Sequence, residues 1–516
     1  MIFNSLQFAL FFPIVTILYF LLPHKHRWWL LLGASAYFYM SFIPAYIVIL
    51  GVTIVVDYFA GILIEEAVST RRKKIYLMGS LIANIGFLAF FKYFNFINSN
   101  IAILANLIRW NYPISNLDII LPVGLSFHTF QAMSYTIEVF RGNQKTERHF
   151  GIYALYVLFF PQLVAGPIER PQNMLHQFHE PHFFDYQKIA DGLKLMTWGL
   201  FKKVVIADRL APMVSFYYTN PQGASGPELA VATILFAIQI FCDFSGYSDI
   251  AIGAAQIMGF KLMVNFKRPY LALSISEFWS RWHISLSNWF RDYVFFPLER
   301  RRLKWIGQTG NLLIVFLLSG LWHGASWTYV IWGALHGLYR VAEVNIQKIQ
   351  QRFFSKYQNF LPVSVSNFIK RMIVLSLVGY AWIFFRAQSI QDAFYIATHV
   401  FSGWFATSSK LALKHIIRAQ SIQDAFHVAT QFFSGGFSRS SILALKQIIG
   451  YDFIPTLLFI LIMGIVHFFQ EKGSLREMLS RQSPILKWTL YVGVVVAILI
   501  FGKIYSEPTS FIYFQF

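Results

Sequence analysis

Charge is scarce in this chain. Only 13% of its 516 residues are Asp, Glu, Lys or Arg, about half the share of a soluble domain. Acidic charge is scarcer still, with 24 Asp and Glu against 43 Lys and Arg, for a net charge of +19. A single cysteine, Cys242, excludes an internal disulfide and says nothing of the redox compartment. No GxxxxGK[ST] or GxGxxG loop exists to cradle a nucleotide phosphate. No GxSxG elbow marks a soluble hydrolase. "HQFHEPH" (176–182) sets His176, His179 and His182 close together. Pro181 breaks any helix there, and no cysteine or close aspartate completes a set, so no metal is expected.

What the chain has is apolar length. Hydrophobic residues make up 56% and aromatic residues 18%, with a mean hydropathy of +0.51. These values place it among all-α polytopic membrane proteins. The basic residues cluster at Lys25 and Arg27, Arg71 to Lys74, Lys202 and Lys203, and Arg300 to Arg302 with Lys304. Short basic loops stay in the cytoplasm, so the positive balance is assigned to topology and not to nucleic acid. Attraction of an anionic donor or an anionic lipid is a second use for the same groups.

Apolar runs of spanning length fall near 5–22, 28–48, 49–66, 75–94, 151–165, 190–212, 228–258, 311–333, 371–385, 454–470 and 485–502. About eleven transmembrane helices are therefore expected. The opening stretch has no basic n-region and no cleavage site, and it reads as a retained span. With Arg71 to Lys74 cytoplasmic, the N-terminus falls outside. Two segments, 121–142 and 277–297, are apolar yet rich in polar groups. Such segments suit re-entrant or interior helices lining a cavity.

One domain, 1–516, is expected, with a tandem repeat inside a connecting segment. Residues 386–417 and 418–449 match at 23 of 32 positions. Two copies do not make a solenoid, and a loop absorbs an insertion at little cost. No chemistry is assigned to either copy.

Five histidines sit in apolar surroundings: His128, His283, His323, His336 and His467. An ionisable group at membrane depth marks a functional site by default. For His128, His336 and His467 the plain reading is a hydrogen-bonded core residue. His323 lies in "LLSGLWHGASW", between Trp322 and Gly324. If its helix starts near Asn311, twelve residues put it about 18 Å along the span. His283 lies in "EFWSRWHISLSNWFRDY". On one helix, Glu277 and Arg281 would pair, as would Asn288 and Asp292, and His283 would share a face with Ser287. That segment is either an interfacial amphipathic helix or a polar wall of an interior chamber. Asp243 and Asp249, in "CDFSGYSDIAIG", need partners at that depth. Ion pairing, with Arg281 or Arg291 as candidates, is favoured over orienting a histidine.

Several stretches carry a resemblance: "LPVGLSFHTFQAMSYTIEVFRG" (121–142), "PQLVAGPIERP" (161–171), "WGLFKKVVIADRLA" (198–211), "CDFSGYSDIAIG" (242–253), "RPYLALSISEFWSRWHISLSNWFRDYVFFPL" (268–298), "LSGLWHGASWTYVIWGALHG" (318–337) and the ending "FIYFQF". Together they resemble the membrane-bound O-acyltransferase superfamily, within it the bacterial alginate O-acetyltransferase group. The resemblance implies a helical bundle around a central channel in the bacterial cytoplasmic (inner) membrane. It implies transfer of an acetyl or other acyl group from a thioester donor such as acetyl-CoA to a polysaccharide hydroxyl. It implies membrane lipid around the chain and a periplasmic or extracellular acetyltransferase partner.

The catalytic residues it implies are His323 and His283. His323 would take the acceptor proton as the hydroxyl attacks the thioester. Trp322, Asn288, Arg291, Asp292, Arg281 and Asp243 are candidates to line the site, with His283, Asn288 and Trp322 as candidates to stabilise the oxyanion. D-alanyl or peptidoglycan O-acyl transfer is the alternative within the enzyme class. A transporter would show inverted half-chain repeats, which are not visible, and an inactive scaffold would tolerate loss of His323.

Overall fold

The computed structural model of the chain describes residues 1–301, 307–353, 362–403, 453–473, 478–479, 481–503 and 511–512. Every regular element among them is a helix. This follows from the solvent. In lipid each backbone N–H and C=O must be satisfied, and a helix does so within its own segment. Among the described residues six helices are long and apolar enough to cross a membrane: Pro44–Glu66, Thr70–Leu107, Gly226–Ile257, Val363–Arg386, Ile454–Lys472 and Pro484–Phe501. Leu6–Leu21 is a shorter apolar helix. It starts where Ser5 accepts from Phe8 N at 3.2 Å, and it turns Leu6, Leu10, Ile14, Ile17 and Leu21 outward. Apolar side chains exposed in a stripe of this kind suit a lipid boundary.

The interior helices are different. Leu125–Arg141 buries Ser126, His128, Thr129, Gln131, Ser134, Thr136 and Glu138 along with its apolar residues. It packs on Ile47–Glu66 and Thr70–Leu88, as expected for an interior segment. Gly142, at φ 77°, closes it: its N–H returns to Val139 O at 3.0 Å, the left-handed stop that glycine adopts without strain.

Tyr186–Leu200 and Gly226–Ile257 meet along a close seam. Two glycine pairs make it. A Cβ on Gly199 would lie 2.5 Å from Gly246 O, and one on Gly253 would lie 2.6 Å from Gly192 O. Small residues let helix backbones touch in this way inside membranes.

Five expectations change on inspection. The run 311–333 is two helices, Gly307–His323 and Trp327–Phe353, separated by Gly324 to Ser326. The segment 277–297 is also broken, into Ile275–Arg281 and Ile284–Phe290 followed by a π-helical turn, Arg291–Phe295. His283 is the break itself, at φ 43°. Glu277 and Arg281 do pair, at 2.6 Å, but Asp292 turns to Arg170 at 3.1 Å and Arg291 at 2.9 Å instead of Asn288.

Lys202 and Lys203 do not sit in a solvated loop. They are buried in a π-helical turn, Phe201–Ala207. Asp243 and Asp249 pair with these lysines and not with arginines. Lys203 bonds Asp243 and, at 2.9 Å, Asp208, while Lys202 bonds Asp249 at 2.8 Å. Asp243 also accepts from Ile512 N at 2.8 Å.

Of the first repeat copy, Arg386 ends one helix and Ile390–His399 forms the next. Residues 404–417 and the whole second copy, 418–449, lie outside the described residues, as do Arg302 and Lys304 of the basic clusters.

Candidate active site

His323 is the last residue of its helix and only 3% exposed. Its ring is packed edge-on between Trp322 and Trp332, both with centroids at 4.9 Å, and faces Phe385 at 5.3 Å. The indole of Trp322 is the bridge to the second histidine. It lies 6.0 Å from the His283 ring, 5.3 Å from Phe127 and 5.5 Å from Phe130. His283, His323 and Trp322 therefore form one aromatic cluster, although 40 residues of chain separate the two histidines.

A cleft opens onto the Trp322 and His323 side of this cluster, while His283 stays behind its wall. Lys92, Val123, Ser126, Phe127, Trp322 and His323 line it. The buried indole N–H of Trp322 has no hydrogen-bond partner among the described residues. A bare donor in a nearly dry site calls for an acceptor, and a substrate oxygen in the cleft would supply one.

His283 is fixed from behind. Its Nδ1 lies 3.1 Å from Asn265 Oδ1. The same oxygen accepts from Ser285 N at 3.3 Å and Ser285 Oγ at 3.0 Å. A backbone N–H only donates, so this atom is the amide oxygen, and His283 meets it with Nδ1–H. The lone pair then sits on Nε2. Main-chain bonds tighten the knot: Ile284 N donates to Asn265 O at 2.9 Å and Lys267 N to Arg281 O at 2.9 Å. The left-handed backbone at His283 is held by these bonds. Strain of this kind collects at functional sites.

The other candidates lie elsewhere. Arg281 is tied to Glu277 and, at 3.1 Å, to Glu471. Arg291 is about half exposed and pairs with Asp292. Asp243 belongs to the Lys203 pair. None of these, nor Asn288, lines the cleft. His336 meets the expectation of a bonded core residue, since Trp279 Nε1 donates to its Nδ1 at 3.3 Å. His128 does not: it is buried with neither ring nitrogen bonded among the described residues. His176, His179 and His182 go to three separate partners, Gln172 O, Glu147 and Gln177 O. No cluster of metal-binding side chains occurs among the described residues.

Two residues of the site were not anticipated, Lys92 and Asn265. Lys92 stands at the end of an expected span, in "FLAFFKYFNF" (87–96), where a lone lysine resembles a helix-end anchor. Asn265 lies just before the matching stretch that starts at Arg268.

Comparison with known proteins identifies the family. The model of the membrane-bound O-acyltransferase family matches residues 140–385, which include His283 and His323. The peptidoglycan O-acetyltransferase of Helicobacter pylori is 35% identical over 76% of this chain and 78% of its own. The chain belongs to the membrane-bound O-acyltransferase family. A probable alginate O-acetylase, AlgI, of Pseudomonas aeruginosa is 37% identical over 78% of this chain and 76% of its own. A teichoic acid D-alanyltransferase of Streptococcus thermophilus is 32% identical over a shorter share, 42% of this chain and 55% of its own. The chain is thus a multi-pass membrane acyltransferase.

Proposed function

We propose that this acyltransferase passes an acetyl group from a cytoplasmic thioester, acetyl-CoA or a related donor, to a hydroxyl of an extracytoplasmic polysaccharide. Transfer is direct or through a periplasmic or extracellular acetyltransferase partner. The membrane is the bacterial cytoplasmic membrane, with the N-terminus outside. The observation that carries this reading is the burial of His323 against a cleft lined by polar and aromatic groups. The longer match to acetyl-transferring relatives favours acetyl over D-alanyl transfer. A peptidoglycan acceptor remains the second reading, from the Helicobacter pylori relative.

The chemistry needs one proton moved. A hydroxyl attacks the thioester carbonyl, its proton goes to the imidazole of His323, and the C–S bond breaks. The proton then leaves with the thiolate as thiol. Trp322 N–H, buried without a partner among the described residues, donates in this reading to the oxyanion that forms in between. His283, with its Nε2 lone pair turned away from Asn265, orients the acceptor. The helix Gly307–His323 rises about 24 Å from its start, so the basic end of that helix and His323 stand at different depths. The loop 108–124, on the far side of Thr70–Leu107 from Arg71 to Lys74, borders the cleft. This supports acceptor entry opposite the basic clusters.

His323→Gln keeps the shape but not the base. It should lower acetylation of the envelope polysaccharide about 10²–10⁴-fold at normal protein level. His283→Ala should lose activity to a smaller extent. Near wild-type acetylation by a well-expressed His323→Gln protein would make this histidine structural and return the search for a base to His283.

A further inference from the structure

The helix that ends at His323 owes its end to a distant part of the chain. The last four carbonyls of an α-helix have no partner within it. Here they belong to Gly320, Leu321, Trp322 and His323. Gly320 O accepts from Gly324 N at 3.4 Å. Two adjacent side chains take the other three. Tyr93 Oη donates to Leu321 O at 2.7 Å. Lys92 Nζ donates to Trp322 O at 2.6 Å and to His323 O at 3.1 Å.

Lys92 and Tyr93 come from a π-helical turn, Ala89–Tyr93, inside the helical run Thr70–Leu107. Such turns gather at functional sites. A lysine at this depth ordinarily finds a carboxylate. This one has none among the described residues; its third contact is Ser126 Oγ at 3.4 Å. Its ammonium lies at the negative end of the helix dipole and on the wall of the cleft. Beyond His323 the chain runs through Gly324 to Ser326 before the next helix begins, and an untied helix end frays.

We propose that Lys92 and Tyr93 are positioning residues that hold the end of this helix, and so the imidazole of His323, in register with the cleft. The inference rests on the reading of His323 as the base. It assigns the π-helical turn a role in the reaction and not only in the packing. A displacement near 1 Å at a reacting group costs on the order of 100-fold in rate.

The test uses the full chain in its own host, with the chromosomal copy deleted. Acetyl groups on the envelope polysaccharide are counted per unit of membrane-inserted protein, and thermal melting is followed in detergent. Lys92→Met keeps the stem and drops the charge, and should lower acetylation by about tenfold or more while the protein stays folded. Lys92→Arg restores a donor cation and should recover most of the loss. Tyr93→Phe, which loses one carbonyl contact, should cost a few-fold. Wild-type acetylation by Lys92→Met, an arginine variant no better than methionine, or a loss that only tracks melting would each overturn the proposal. His323→Gln runs beside them. If it is active, the base reading fails; if it is inactive while Lys92→Met is active, only the positioning role fails.

Discussion

Lys92 and Lys203 are built alike and used differently. Each is a lysine in a π-helical turn within a longer helical run, Ala89–Tyr93 for one and Phe201–Ala207 for the other. Lys203 meets two carboxylates, Asp243 and Asp208, and is almost completely enclosed. Lys92 meets three neutral oxygens and borders a cleft. The first arrangement surrounds the ammonium with counter-charge and joins Phe201–Ala207 to Gly226–Ile257. The second leaves a positive charge beside the place where an oxyanion is proposed to form. The difference teaches that the backbone device does not decide the role. The counter-charges around it do.

The largest test of this contrast is Lys203→Met. It strands two buried carboxylates, and breaking a buried pair costs about 3–5 kcal/mol. The protein should melt far earlier or fail to accumulate in the membrane. Lys92→Met strands no carboxylate and should cost visibly less stability. Equal melting of the two variants would erase the distinction. A smaller effect is expected for Asp249→Asn, since that side chain is 24% exposed and the lysine left behind keeps Ser245 Oγ at 2.9 Å. A melting loss as large as that of Lys203→Met would mean that both lysines carry the seam equally. The smallest effect should come from deleting 418–449. The copy repeats 386–417, and neither lysine lies within it. Acetylation and melting should stay at the wild-type level, and loss of either in a well-inserted protein would give the repeat a function.

The helices were legible because lipid imposes a simple rule on composition, and Val363–Arg386 or Pro484–Phe501 obey it. The burial of His323 was legible because it lies between Trp322 and Gly324 in an apolar run. The break at His283 was not. "RWHIS" holds no glycine or proline to announce it. The turn is set by Asn265, 18 residues earlier, whose side chain takes three donors. Lys202 and Lys203 misled for a related reason. A basic doublet between apolar runs looks like a loop, and only the partners on Gly226–Ile257 reveal it as a buried tie. Lys92 hid by lying where an anchor belongs.

The glycine seam has a mechanical consequence. Where Gly199 meets Gly246 and Gly192 meets Gly253, main chain touches main chain with no side chain between to change rotamer. Interlocked helices of this kind resist sliding, because each small step drives a carbonyl into the opposing backbone. They leave little room for Tyr186–Leu200 to shift along Gly226–Ile257. A spine of this kind fixes the register of its two helices by main-chain contact alone.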